Sequence, residues 1–218
     1  MLREGLSKRM AQLREMDYIL LQFTDLLGLL RGQTIPARRV DRGISLGIGF
    51  DGSSVPGFAG IEESDMIMRA DPATLTFLPD YFYDRKVASF ICDIYMPGGK
   101  RFENDPRYIC QRMVKKMREG GYEPLASAEV EFYLVKIGGD GSIRSVEEHV
   151  NDHQRYFDFA PGRDRTERYR MELSDVLSGM GFEVERFHHE VGPAQNEISF
   201  RYADPVGASD LSLIHISE

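Results

Sequence analysis

The chain has 218 residues, 42% of them hydrophobic and 28% charged, with a formal net charge of −8. That size can bury one good core or two smaller ones, whereas the acidic balance offers no electrostatic footprint for nucleic acid or an anionic membrane, each of which calls for a basic surface. No apolar run approaches membrane-spanning length and residues 1–5 lack the basic-then-apolar build of a secretory signal, so a cytoplasmic protein is expected.

In chain order, a short polar helix is expected over residues 3–15. Residues 18–24 and 29–35 read as strands about a turn near residues 25–28, a hairpin that opens the first domain. Residues 87–95 form another strand, ended by the turn-forming Pro97-Gly-Gly-Lys100, where a domain boundary is placed. Asp105 and Pro106 mark a helix start, the first as a cap for free amides and the second because its missing amide hydrogen is not needed in the first turn. Along that helix Ile109, Met113 and Met117 recur at intervals of four beside Cys110 and Val114, a stripe expected to face a core, and Gly120-Gly121 closes it. Cys92 and Cys110 lack metal-ligand spacing and read as small hydrophobes. Gly138-Gly-Asp-Gly141 is a tight turn, and the charged stretch 147–154 reads as an exposed loop in which His149 and His153 are solvated. Leu173, Val176, Leu177 and Met180 form a second core-facing stripe that ends at Gly181, followed by strand-like alternation over 181–187 and 198–202. The pattern is α+β, strands first and then strands with helices on one face.

Chemistry concentrates in two glutamate clusters, Glu129 with Glu131 and Glu190 with Glu197. In a strand, Glu129 and Glu131 share one face while Val130 and Phe132 take the other. Taken alone, such alternation is what an ordinary solvated face looks like. In the second cluster, two strands joined by Val191-Gly-Pro-Ala194 would each bring a carboxylate to the sheet end, and like charges held close call for a cation; oxygen ligands of this kind suit Mg²⁺ or Mn²⁺.

The string His188-His-Glu-Val-Gly-Pro-Ala-Gln-Asn-Glu-Ile198, preceded by Ala128-Glu-Val-Glu-Phe132 and by Phe50-Asp-Gly-Ser-Ser-Val-Pro-Gly-Phe58, resembles the glutamine synthetase family of bacterial and archaeal type. The resemblance runs from about Asp17 to Asp210 and takes in residues 61–66 and 156–161. It implies a small β-grasp-like amino-terminal domain over 15–100 and, over 104–210, the first part of an α+β catalytic domain with an antiparallel sheet. The implied reaction is ATP-dependent ligation of glutamate and ammonium to glutamine through γ-glutamyl phosphate. Glu131, Glu190 and Glu197 match positions that hold the metal ion nearer glutamate, and Glu129 matches a ligand of the ion nearer the nucleotide. Glu185 matches a nucleotide-contacting glutamate and Tyr202 an aromatic against the adenine region. Asp51 matches the residue that binds ammonium and takes its proton, on a loop reaching a neighbouring subunit's site, and Asp65 and Tyr156 match nearby positions. The Gly-Gly that often precedes this tyrosine is here Gln154-Arg155. His188 and His189 are left out of the metal set. The assembly implied is a homo-oligomer of two stacked hexameric rings with active sites shared between subunits.

The chain is expected to end before the family's remaining ligands, arginines and flap, and so to be inactive alone. Residues 211–218 resemble one frame of an adapter used for sequencing libraries and are expected to be adapter-derived. Two alternatives stand beside the main reading. One is a relative ligating glutamate to another amine; the other is a non-catalytic subunit that binds a full-length homologue, against which the intact glutamate set weighs.

Overall fold

The computed structural model describes residues 9–147, 155–159 and 163–215. The chain forms two compact units, one built from the chain up to Pro124 and again from Asp204, the other from Leu125–Ala203. The expected amino-terminal helix is helical from 9 to 15, ending in a 3-10 turn at Leu13–Glu15; its residues 3–8 lie outside the described residues.

The first unit is organised by a sheet of β1 (Tyr18–Thr24), β2 (Leu30–Pro36), β3 (Ile48–Asp51), β4 (Asp65–Ala70), β5 (Thr76–Phe77) and β6 (Val87–Tyr95), with the short helix α1 at Val40–Ser45. The order is β2-β1-β6-β4-β3, and β5 joins β4 along the same edge of β6. Only the β1–β6 pairing is parallel. Strand β1 buries alternate residues, Ile19, Leu21 and Phe23, as a sheet with one core face requires. β6 is buried almost throughout, because it is central and covered on both faces. The β1–β2 turn is fastened by the buried Asp25 carboxylate, which accepts the amides of Leu27 and Leu29 at 2.9 and 3.0 Å and the Arg31 guanidinium at 2.9 Å.

Helix α2 (Pro106–Glu119) begins at its expected cap: Asp105 accepts the Arg107 amide at 3.0 Å and, from the preceding strand, the Ile94 amide at 3.2 Å. The core-facing role expected for its stripe is corrected. Ile109, Met113 and Met117 are 39, 52 and 40% exposed, and Val114 alone is buried. Periodicity marks a face as apolar; it does not supply the surface that covers it.

The second unit contains β7 (Glu129–Tyr133), the hairpin of β8 (Val135–Ile137) and β9 (Ile143–Ser145) around the glycine turn, helix α3 (Glu167–Met180), and the antiparallel strands β10 (Val184–His189) and β11 (Gln195–Phe200). The sheet order is β10-β11-β7. α3 buries Leu177 and Met180, as its stripe predicts, and ends at Gly181 with φ 99°, a left-handed cap that glycine takes without strain. The chain then rejoins the first unit as α4 (Pro205–His215), which packs with α2. There the buried Arg107 binds Asp210 at 2.8 Å and Asp71 at 2.7 Å, with Asp93 as a third carboxylate. α4 runs through residues 211–215, the described part of the stretch expected to be adapter-derived.

Candidate metal centre

Strand β7 presents Glu129, Glu131 and Tyr133 outward, while Val130 and Phe132 turn in, Phe132 standing 6.0 Å from the Tyr169 ring of α3. The antiparallel register sets Glu131 opposite Glu197 and Glu197 opposite His188, one polar row across three strands. Glu129 stands in the next row, opposite Ser199, with Arg186 beyond it. Two carboxylates directly opposed in a sheet repel each other unless a positive charge lies between them.

Glu190 closes this row from the loop that joins β10 to β11. Its Oε1 lies 2.8 Å from His188 Nε2, which is 3.6 Å from Glu197 Oε2. One ligand atom from each of His188, Glu190 and Glu197 falls within 4.8 Å of the others. Each carboxylate is also oriented. Glu197 accepts the Ser199 hydroxyl at 2.8 Å, and Glu131 accepts Gln195 Nε2 at 2.7 Å. Gln195 is fixed in turn by the Gly192 amide at 2.8 Å; a Cβ at Gly192 would sit 2.7 Å from the Gln195 oxygen and 2.8 Å from the Tyr133 hydroxyl, so a side chain there would displace one or both. The rings of Tyr156 and Phe157 meet His188 edge-on at 5.4 and 4.7 Å, so Tyr156 stands beside the histidine of this row.

Beneath the sheet lies a polar layer. His189 faces inward and is fully buried, with Nε2 3.1 Å from the Glu147 carboxylate. At Glu147 this corrects the exposed loop expected over 147–154, whose residues 148–154 lie outside the described residues: Glu147 is 3% exposed, because Arg155 at 2.6 Å and the Ala194 amide at 2.8 Å supply the partners a buried carboxylate needs. His149 and His153 lie outside the described residues. Arg155 is therefore a structural cation. Asp164, Thr166, Arg170 and Asn196 form the rest of the layer. Burial pushes the Glu147 and Asp164 carboxyls up, but hydrogen bonds outweigh it and hold both below the ordinary carboxylate range, His189 leading for Glu147 and Arg170 for Asp164.

Residues 15–97 match the family model described as glutamine synthetase, beta-Grasp domain, and residues 103–215 match glutamine synthetase, catalytic domain. The chain belongs to the glutamine synthetase family. It is 42% identical over 197 residues to a glutamine synthetase of Thermus thermophilus and 39% identical over 197 residues to one of Methanosarcina mazei. Those alignments cover 88 and 90% of this chain and 43% of each relative, so the chain spans less than half the length of the relatives it matches. Among solved structures it resembles apo GmaS without ligand (TM-score 0.79, 24% identity, 94% of this chain and 48% of that one). It also resembles Plasmodium falciparum glutamine synthetase (TM-score 0.74, 21% identity, 97 and 46%), a likeness of fold.

The remaining residues singled out by resemblance to glutamine synthetases fall in two places. Glu185 and Tyr202, both exposed, flank the end of the β10–β11 hairpin opposite Glu190, where a register shift between Val184 and Arg186 turns Glu185 outward. Asp51 and Asp65 belong to the first unit and stand opposite each other on β3 and β4. The Ser53 hydroxyl at 2.6 Å and its amide at 2.9 Å hold the Asp51 carboxyl below its usual range. His188, Gln195, Ser199, Glu147 and Arg155 were not among the expected site residues. Polar residues at the inward positions of β10 and β11, His189 and Asn196, were the available sign of the layer below.

Proposed function

We propose that this chain is part of a glutamate–ammonia ligase, forming glutamine from glutamate, ammonium and ATP through γ-glutamyl phosphate. The supporting observation is the Glu131–Glu197–His188 row closed by Glu190, a mostly oxygen donor set on one sheet face that suits Mg²⁺ or Mn²⁺. Glu131, Glu190 and Glu197 would hold one ion and Glu129 would contribute to a second. When bound, such ions supply the positive charge needed to bring a phosphoryl anion onto a carboxylate. The chain's own part is orientation: Gln195 aims Glu131, Ser199 aims Glu197, and His188 spaces Glu190 from Glu197. Glu185 contacts the nucleotide and Tyr202 lies against its adenine, consistent with their place together at the far end of the hairpin.

Asp51 binds ammonium and accepts its proton, a task suited to the ionised carboxylate that Ser53 maintains, with Asp65 and Tyr156 nearby in the assembled site. The assembly is a homo-oligomer of two stacked hexameric rings in the cytoplasm; among the described residues no helix is long and apolar enough to cross a membrane. The amino-terminal domain is taken as 15–100 and the catalytic part as 104–210, inactive by itself. Residues 211–218 are taken as adapter-derived, a reading that genomic reads prepared without that adapter would overturn by returning Leu-Ser-Leu-Ile-His-Ile.

Titrating the 218-residue chain with Mn²⁺, followed by water-proton relaxation, tests the centre. Saturable binding is expected, weakened about tenfold or more in Glu131→Gln; equal affinity in both proteins removes Glu131 from the site. A protein carrying this chain at the relatives' full length should form glutamine only with ATP and ammonium. Preference for a larger amine would favour the amine-ligating alternative.

A further inference from the structure

We infer that Glu147 is a positioning residue for the metal centre: its buried carboxylate holds both ends of the 190–194 loop and so sets where Glu190 stands relative to Glu197. The contacts converge on one group. Oε2 accepts the Ala194 amide at 2.8 Å and lies 3.1 Å from His189 Nε2 and 2.6 Å from Arg155 Nη1, while Oε1 accepts the Arg165 amide at 3.2 Å. His189 and Ala194 are the residues on either side of the segment 190–193, which carries Glu190. The imidazole passes the constraint on, since its Nδ1 lies 2.5 Å from the Glu190 carbonyl oxygen. Ala194 is fully buried at φ 55°, a left-handed conformation unfavourable for a residue with a side chain, and the bond from its amide to Glu147 helps hold it there.

A third segment joins through Arg155, which binds Glu147 and Asp158. Its neighbours Tyr156 and Phe157 set their rings on His188, and the Phe157 amide donates to the His189 carbonyl at 3.0 Å. One carboxylate thus ties together the stretches that surround Glu190 without itself reaching the outer face. Glu147, Asp164 and His189 also lie close enough to suggest a second ion. That alternative is weaker, because the guanidinium groups of Arg155 and Arg170 already occupy the cation's place against the two carboxylates.

Only the link to Glu190 as a ligand rests on the metal reading above, and two measurements separate the claims. Amide hydrogen exchange on the intact chain reads the clamp directly: in Glu147→Gln, amides of 190–195 should exchange at least about tenfold faster, with those of β1 and β6 unchanged. Mn²⁺ affinity should fall about 10- to 100-fold in the same variant, and less in Glu147→Asp, which keeps the charge. Asp105→Ala, which destabilises the other unit, serves as the control and should alter neither readout. Unchanged exchange over 190–195 in Glu147→Gln overturns the inference, as does equal loosening in Asp105→Ala. If the wild-type chain binds no Mn²⁺, the metal reading fails while exchange still decides whether Glu147 is the clamp.

Discussion

Asp164 keeps an ionised carboxylate under the sheet by surrounding it with donors. Its Oδ1 accepts the Thr166 amide and hydroxyl, both at 2.9 Å, and Arg170 binds its other oxygen. Burial alone would raise the pKa of this group; the Arg170 and Thr166 bonds outweigh it, so the folded value lies below the unfolded one. The sign follows from proton linkage: the stabilisation is present above the unfolded pKa of about 3.9 and is lost as pH falls through the depressed folded value. Thermal melts of the chain between about pH 7 and pH 3 should show a falling midpoint on the acid side, and Asp164→Asn should lower the neutral midpoint while flattening that fall. An acid limb as steep in the variant as in the wild type would assign the loss to other carboxylates. Asp210 behaves in the opposite sense. Burial raises its pKa despite Arg107, so its contribution is present below the unfolded value and lost as pH rises through the raised one.

Helix α2 carries the prediction at the scale of an element. Asp105 caps it, accepts the Ile94 amide from β6 and binds Arg101 at 3.0 Å, so Asp105→Ala removes a cap and strands buried donors. A loss of roughly 2 kcal/mol is expected by chemical denaturation, with Asp105→Asn losing less because one acceptor remains. This start was legible in the sequence because capping is local: an aspartate followed by proline specifies it without the rest of the fold. The β1–β2 hairpin, the full extent of β6 and the Gly181 stop of α3 were legible for the same reason. Strands β3, β4 and β5 were not, being short, edge-placed or interrupted by 3-10 turns. The stripe of Ile109, Met113 and Met117 was legible as apolar but not as exposed, since exposure depends on what lies opposite. At the centre, the outward glutamates could be read from alternation, whereas Glu147 could not. Two of its partners, His189 and Ala194, are 42 and 47 positions away and meet it only once the sheet exists.

For the whole molecule, the proposal that Asp51 serves a neighbouring subunit's metal centre has a direct consequence. Full-length subunits carrying Asp51→Ala, mixed with subunits carrying Glu131→Gln, should regain part of the activity each parent lacks, because some interfaces pair an intact Asp51 with intact metal ligands. If mass measurements show co-assembly and the mixture stays as inactive as its parents, each site draws Asp51 from its own chain. Connectivity within one subunit carries a different consequence. Arg107 and Asp210 are 103 positions apart, and closing a loop of that length in an unfolded chain costs about 4 kcal/mol in entropy. Paired amide bonds of 2.9 Å between Ala126 and Ala203 form a neck across the second unit. Once that neck has formed, the stretch left to close is about a quarter as long and costs roughly 1 kcal/mol less. The order expected during synthesis on a ribosome is therefore that Arg107 pairs first with Asp71 and Asp93, and that Asp210 docks most readily after the neck is drawn shut.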